Sequence, residues 1–171
     1  MKIKLIKHRV IKDNRGYFEK DYVDSQELPE GFVLRENFYT HSVKGVIRAI
    51  HFQQVEEQAK IVRCLKGKIF DVIVDLRIDS PDFGQWSSVM LEEGDGTSIF
   101  VPRGFGHGYL VIEDAVVSYK CDEYFYSEGD SAILWDDPEL NIDWPTDLIN
   151  NEIILSEKDR RAQSFQEFKL Q

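Results

Sequence analysis

The chain has 171 residues, 42% of them hydrophobic and 12% aromatic, enough to bury a substantial core without a disulfide or structural metal. Its formal net charge of -10 argues against a nucleic-acid surface, which needs clustered Lys and Arg, but permits a small anionic ligand in a local basic pocket. No stretch approaches the roughly 20 apolar residues of a membrane span, and no apolar run of leader length follows the basic start MKIKLIKHRV. The expectation is therefore a cytoplasmic protein whose residues 1–171 form a single domain.

In chain order, the first strongly patterned segment is GVIRAIHFQ (Gly45–Gln53), an apolar, strand-like run that carries Arg48 and His51. Strict alternation puts Val46, Arg48 and Ile50 on one face and Ile47, Ala49 and His51 on the other. If both faces are covered, each polar group needs a partner or a ligand. KIVRCL (Lys60–Leu65), the turn KGK (Lys66–Lys68) and IFDVIVDL (Ile69–Leu76) read as a hairpin. In its second arm Phe70, Val72, Val74 and Leu76 share a face, opposite Asp71, Ile73 and Asp75. The turn SPDFG leads into the strand QWSSVMLE (Gln85–Glu92), and the turn EGDG leads into TSIFVP (Thr97–Pro102). RGFGHG (Arg103–Gly108), YLVIE (Tyr109–Glu113) and AVVSYKCDEYFY (Ala115–Tyr126) follow. Short strands at roughly 8–12-residue spacing, broken by Gly and Pro turns, predict an all-β sandwich or barrel. In the last segment, ILSEKDRRAQSFQEF, Ser156 precedes Asp159 by three residues, which predicts a capped C-terminal helix from about Glu157.

Cys64 and Cys121 sit inside apolar strand patterns and read as buried, reduced thiols. The four histidines, His8, His41, His51 and His107, include no H-x-H pair of the kind that usually marks a metal site in a small barrel. Acid–base chemistry at His51 fits better, because imidazole changes protonation near neutral pH once a carboxylate or carbonyl orients it. Arg48, Lys60 and Arg63 are expected to give the same region fixed positive charge, suited to an anionic substrate and to negative charge developing on oxygen.

Taken together, GVIRAIHFQ, AKIVRCLKGKIFDVIVDLR, SPDFGQW, PRGFGHGYLV, YKCDEYF, ILWDDPELNIDWP and LSEKD, in that order, closely resemble the dTDP-4-dehydrorhamnose 3,5-epimerases of the cupin superfamily. The resemblance runs from about Asp13 to Asp159 and implies a cupin-type jelly-roll β-sandwich with a short C-terminal helix. It also implies a homodimer without metal or organic cofactor, acting on a nucleotide-diphosphate 4-keto-6-deoxyhexose and inverting C3 and C5. By resemblance His51 is the general base, Asp159 the carboxylate that orients it, Tyr119 the acid opposite, and Lys60 the cation beside the 4-keto oxygen. Arg48 matches a substrate- or phosphate-binding arginine, and His107 lies in a motif at the pocket. Arg15 and Phe18, in DNRGYF, look like nucleotide-contacting residues that reach a neighbouring subunit. Asn37 and Phe125 complete the substrate-binding set that the resemblance implies. Ala49 stands where the family usually has glycine, and Glu19 lies four residues beyond Arg15 rather than five. The stretch between Asn37 and Gly45 is also one residue longer than usual. These departures leave open the nucleotide and the exact sugar, and a single-centre epimerase remains the alternative. A non-catalytic cupin that only binds a sugar nucleotide is the reading from a different class.

Overall fold

The computed structural model describes residues 4–23 and 28–170. Its strands are β1 (Lys4–Lys7), β2 (Val10–Asp13), β3 (Gly16–Glu19), β4 (Glu36–Ser42), β5 (Ile47–Gln53), β6 (Lys60–Asp75), β7 (Trp86–Glu92), β8 (Thr97–Val101), β9 (Phe105–Cys121) and β10 (Asp130–Ile133). β2 and β3 form a separate hairpin. The others join in the order β1-β8-β6-β9-β5-β10, with β4 added to β9 and β7 to β6.

β6 and β9 are antiparallel over their whole length, from Lys60 opposite Cys121 to Asp75 opposite Phe105. Near Cys121 they are flanked by β8 and β4, and near Phe105 by β7 and β5, so each long strand passes from one half of a sandwich into the other. This is the expected jelly-roll architecture with one correction. Lys66–Lys68 is not a hairpin turn, and Lys60–Leu65 and Ile69–Leu76 are arms of one strand, bulged against β9 between Cys64 and Ile69. A glycine in a turn and a glycine in a bulge leave the same mark on a sequence, since both need a positive φ. Gly67 has φ +75°, and a Cβ there would lie 2.1 Å from the Asp114 carbonyl oxygen on the partner strand. Likewise, the segments between Phe105 and Cys121 are one strand rather than several.

Alternation along the long strands supplies two apolar layers. Ile69, Ile73, Tyr109, Val111, Val117 and Tyr119 point between the sheets. Val72, Val74, Leu110 and Ile112 point the other way, where Ile47, Ile50, Leu140, Trp144, Ile149 and Phe165 cover them. The predicted face of Phe70, Val72, Val74 and Leu76 is this second one. The C-terminal segment thus serves as a lid of side chains on that outer sheet face. Its helix begins at the expected residue but divides in two, α1 (Glu157–Arg160) and α2 (Phe165–Lys169). The break has a local cause: Gln163 exchanges backbone hydrogen bonds with the Ala132–Leu134 segment, and Ser164 starts a fresh capping box with Glu167.

Both cysteines are buried and free, with burial pushing the Cys64 thiol up to about 12 and Cys121 to about 11. Among the described residues no helix is long and apolar enough to cross a membrane. Gly67→Ala should lower the thermal midpoint by at least about 5 °C, because the left-handed backbone and the close Asp114 carbonyl both resist a methyl. Calorimetry checks this, and an unchanged midpoint would show that the bulge relaxes freely.

Candidate active site

Arg48 and His51 are three apart, so strict alternation would separate them. The structure brings them together, because β5 carries one extra residue there. Arg48 pairs with Tyr109 and His51 with His107, so three steps on β5 oppose two on β9. A bulge of this kind reverses the parity of side chains beyond it. Ile47 and Ile50 accordingly both enter the outer apolar layer, while Arg48 and His51 both line one cavity of about 480 Å³. The side chain of Ala49, the residue standing where the family usually has glycine, lies outside the described residues.

His51 is anchored from the C-terminal end of the chain. Its Nε2 lies 2.9 Å from Asp159 Oδ1, with the Asp159 side chain 6% exposed and that of His51 28%. Ser156, the N-cap of α1, accepts from the Asp159 backbone N–H at 3.1 Å and donates its hydroxyl to Asp159 Oδ2 at 2.8 Å. One carboxylate therefore serves as an N3 residue of a capped turn and as a fixed neighbour of the imidazole. The cap holds it in the rotamer that the histidine needs.

β9 lends Tyr119 to the same cavity, with Phe38 of β4 stacked on its ring at 4.7 Å between centroids. Burial, above all, raises the Tyr119 phenol well above its usual range, helped by the nearby Tyr109 phenol. It is a protonated donor throughout the neutral range. His107 Nε2 is 2.9 Å from Asp71 Oδ2, and both side chains are buried. Burial, only partly offset by His107, raises the Asp71 carboxyl.

Lys60 lines the cavity from β6, and Lys158 does so from α1, ion-paired with Asp130. Burial lowers the Lys60 pKa, opposed by Cys121 and Asp130 and reinforced by Lys158. Arg48 is steadied by Ser42, whose hydroxyl accepts from Nη2 at 3.0 Å. Arg63 does not join this charge. It is buried on the other face of β6, ion-paired with Glu19 and donating to the Lys20 carbonyl at 3.0 Å. Alternation from Lys60 puts it there, and Glu19, the departure noted after Arg15, is its partner.

The cavity thus contains His51, Asp159, Tyr119, Lys60, Arg48, His107 and Phe125. It does not contain Arg15, Phe18 or Asn37. Arg15 and Phe18 are exposed on the β2–β3 hairpin, and Asn37 is exposed on the β4 face opposite Glu36, Phe38 and Thr40. Sequence reasoning missed Tyr109, Thr40, Lys158 and Asp71. Only Asp71 left a signal, a carboxylate inside an apolar strand run. A larger cavity of about 560 Å³ lies under the N-terminal segment and contains none of the four candidate catalytic residues. Among the described residues no three His, Cys, Asp or Glu side chains are grouped to hold a metal ion.

A family model described as dTDP-4-dehydrorhamnose 3,5-epimerase matches residues 1–167. The chain belongs to that epimerase family. The dTDP-4-dehydrorhamnose 3,5-epimerase of Methanothermobacter thermautotrophicus is 40% identical over 166 residues, 95% of this chain and 89% of that protein. Among solved structures, dTDP-6-deoxy-D-glucose-3,5-epimerase from Legionella pneumophila, in complex with dTDP-4-keto-L-rhamnose, aligns with a TM-score of 0.90 at 34% identity. That alignment covers 96% of this chain and 88% of the other. A 3'-monoepimerase from Streptomyces bikiniensis, in complex with dTDP-quinovose, aligns at 0.85 and 28% identity over 95% of this chain and 83% of its own. The jelly-roll sandwich of the dTDP-4-dehydrorhamnose 3,5-epimerases is therefore the fold of this chain.

In this epimerase-family pocket Lys60 costs stability. Between its lowered pKa and 10.5 the unfolded chain binds a proton that the folded chain has lost, so stability from this group rises with pH across that window. Lys60→Met should therefore be more stable than the parent at pH 7, with the difference shrinking as pH approaches 10.5. Denaturant midpoints at several pH values check this, and a difference that widens with pH would contradict the burial argument.

Proposed function

We propose that this protein inverts C3 and C5 of dTDP-4-dehydro-6-deoxy-D-glucose, giving dTDP-4-dehydro-L-rhamnose, through enolates formed beside the 4-keto group. The observation that carries the reading is the Asp159-anchored imidazole of His51 sharing one cavity with Tyr119 and Lys60. A ketone acidifies the C–H bonds on both sides, because loss of either proton gives an enolate with charge on O4. Even so, such carbon acids are far weaker than imidazolium, and the gap has to be narrowed at oxygen.

Each residue type fits one part of that task. With Nε2 turned to Asp159, His51 keeps Nδ1 to accept the proton from carbon. Lys60 stands as the cation at O4, and its lowered pKa makes it a readier hydrogen-bond and proton donor to the oxyanion. Inversion needs a proton delivered to the face opposite the base. The phenol of Tyr119, kept neutral by burial, is a donor matched to a basic enolate carbon. Arg48 supplies a planar fork for the diphosphate, and the exposed rings of Phe38 and Phe125 at the cavity offer a surface for the nucleoside. His107, held by Asp71, faces the sugar.

Arg15, Phe18 and Asn37 enter the same reading only in a homodimer, in which the β2–β3 hairpin reaches the partner's site. Support comes from the hairpin itself. It leaves Ile11, Tyr17 and Phe18 exposed, and the Arg15 side chain is 85% exposed, with the neighbouring Asp13 as its one ion partner among the described residues. The dimer is placed in the cytoplasm.

Incubation with dTDP-4-dehydro-6-deoxyglucose in D2O should place deuterium at both C3 and C5 of an L-configured product. His51→Ala should cut exchange at both carbons by about 10²–10⁴-fold. Label at one carbon only would make the protein a single-centre epimerase, and wild-type exchange in His51→Ala would remove His51 from the base role. Sedimentation should show a dimer, and Arg15→Ala should raise KM with little change in kcat; a monomer with an unchanged KM would contradict the shared site.

A further inference from the structure

The β2–β3 hairpin poses a mechanical problem. Its strands pair as a two-stranded sheet of their own, and an isolated hairpin is barely stable in water. Arg15 sits at the tip, and about 13 Å of strand separates it from Glu19 at the base. A tilt of roughly 20° at the base would carry the tip roughly 4–5 Å, more than a hydrogen bond tolerates. Contacts other than ladder hydrogen bonds must therefore set its direction. Arg63 of β6 is ion-paired with Glu19, and its Nη1 donates to the Lys20 carbonyl at 3.0 Å. Lys120 of β9 is ion-paired with Asp21 and donates to the Ser118 hydroxyl at 2.6 Å. Ser118 in turn donates to Asp21 Oδ2 at 2.9 Å. Arg63 Nη1 lies 3.9 Å from Asp21 Oδ1, which links the two pairs into one cluster. Arg63 stands opposite Ser118 in the ladder, and Lys120 is two residues on, so all three project from one face.

The side chains of Arg63, Lys120 and Glu19 are buried, and neither cation lines the candidate catalytic cavity. Burying charge to hold a segment down has a desolvation cost, and apolar side chains of similar volume often hold as firmly. What the ion pairs add is direction, because a guanidinium donates to a carboxylate through a planar fork that restricts the angle. The Tyr17 hydroxyl also donates to Glu93, at 3.1 Å, but that contact is exposed and too open to water to replace them. We propose that the Arg63–Glu19 and Lys120–Asp21 pairs are positioning residues that aim the hairpin, so that Arg15 and Phe18 enter the partner protomer's pocket and contact the nucleotide. The inference rests on the shared-site dimer proposed above. Each protomer's buried charge cluster then acts on the neighbouring active site rather than on its own.

Arg63→Met alone strands the buried Glu19 carboxylate and threatens the fold. The double variant Glu19→Leu/Arg63→Met, which replaces the pair by apolar side chains, is therefore the main probe. As a homodimer it should raise KM for dTDP-4-dehydro-6-deoxyglucose by at least about tenfold with kcat kept within about twofold, as expected when a charged contact to the nucleotide is misplaced. Mixed dimers with a His51→Ala protomer, purified through two different tags, show in whose site the cluster acts. There the one pocket that keeps its imidazole belongs to the double variant and receives a correctly aimed hairpin, so KM should return to the wild-type value. A raised KM that persists in the mixed dimers, a wild-type KM in the homodimer, or a loss of kcat in place of the rise in KM would overturn the aiming role. Those results leave the shared site standing if the wild type sediments as a dimer and Arg15→Ala raises KM. A monomeric wild type with Arg15→Ala at wild-type KM would overturn the shared site itself, and the aiming role with it.

Discussion

The contact between Asp159 and His51 ties the C-terminal end of the chain to the wall of the pocket, and the rest of the site depends on it. It exists because two unrelated local devices coincide. A bulge in β5 turns His51 inward, and a serine-capped turn presents Asp159 to it. The cap in turn depends on the outer apolar layer, where Trp144, Ile149 and Phe165 seat the C-terminal segment against β5, β6 and β9. Packing on one face of the sheet thereby positions chemistry on the other.

The interior bears an electrostatic burden that a purely structural sandwich would avoid. Lys60, Asp71 and Tyr119 all have pKa values displaced in the direction that burial dictates. Such groups weaken a fold unless they are paired. Asp71 has His107 as its hydrogen-bonded partner, whereas Lys60 has only the more distant charge of Asp130 to oppose its burial. Lys60 and Tyr119 in the cavity wall, with Asp71 behind His107, make the pattern expected of a catalytic site. The buried Arg63–Glu19 pair and the Lys120–Asp21 pair have a different use, holding the end of β3 and the residues just after it against β6 and β9.

Much of the fold was legible because apolar alternation and glycine turns report burial directly. The Phe70, Val72, Val74 and Leu76 face was read correctly for that reason. What alternation does not report is an inserted residue. The β5 bulge leaves no mark in GVIRAIHFQ, so periodicity put Arg48 and His51 on opposite faces. Gly67 misled in the complementary way, its positive φ marking a bend within one strand rather than a turn between two. Arg63 was assigned to the pocket by charge alone, although its spacing from Lys60 already pointed it elsewhere. Tyr109 and Thr40 were invisible because nothing in a linear chain reveals that two hydroxyls from different strands meet. The residues brought together by resemblance to a family, His51, Asp159, Tyr119 and Lys60, do share a cavity, whereas Arg15, Phe18 and Asn37 do not reach it within one chain.

The claim on which this account turns is that Asp159 fixes the imidazole of His51 with Nε2 protonated and Nδ1 free toward the cavity. Nitrogen-15 NMR of the full-length protein, labelled at histidine and assigned through a His51→Gln control, measures that directly. The account predicts that His51 is predominantly the Nε2–H tautomer near neutral pH, and that Asp159→Ala restores a mixture of tautomers. A His51 resonance showing the Nδ1–H tautomer, or a spectrum that Asp159→Ala leaves unchanged, would contradict it.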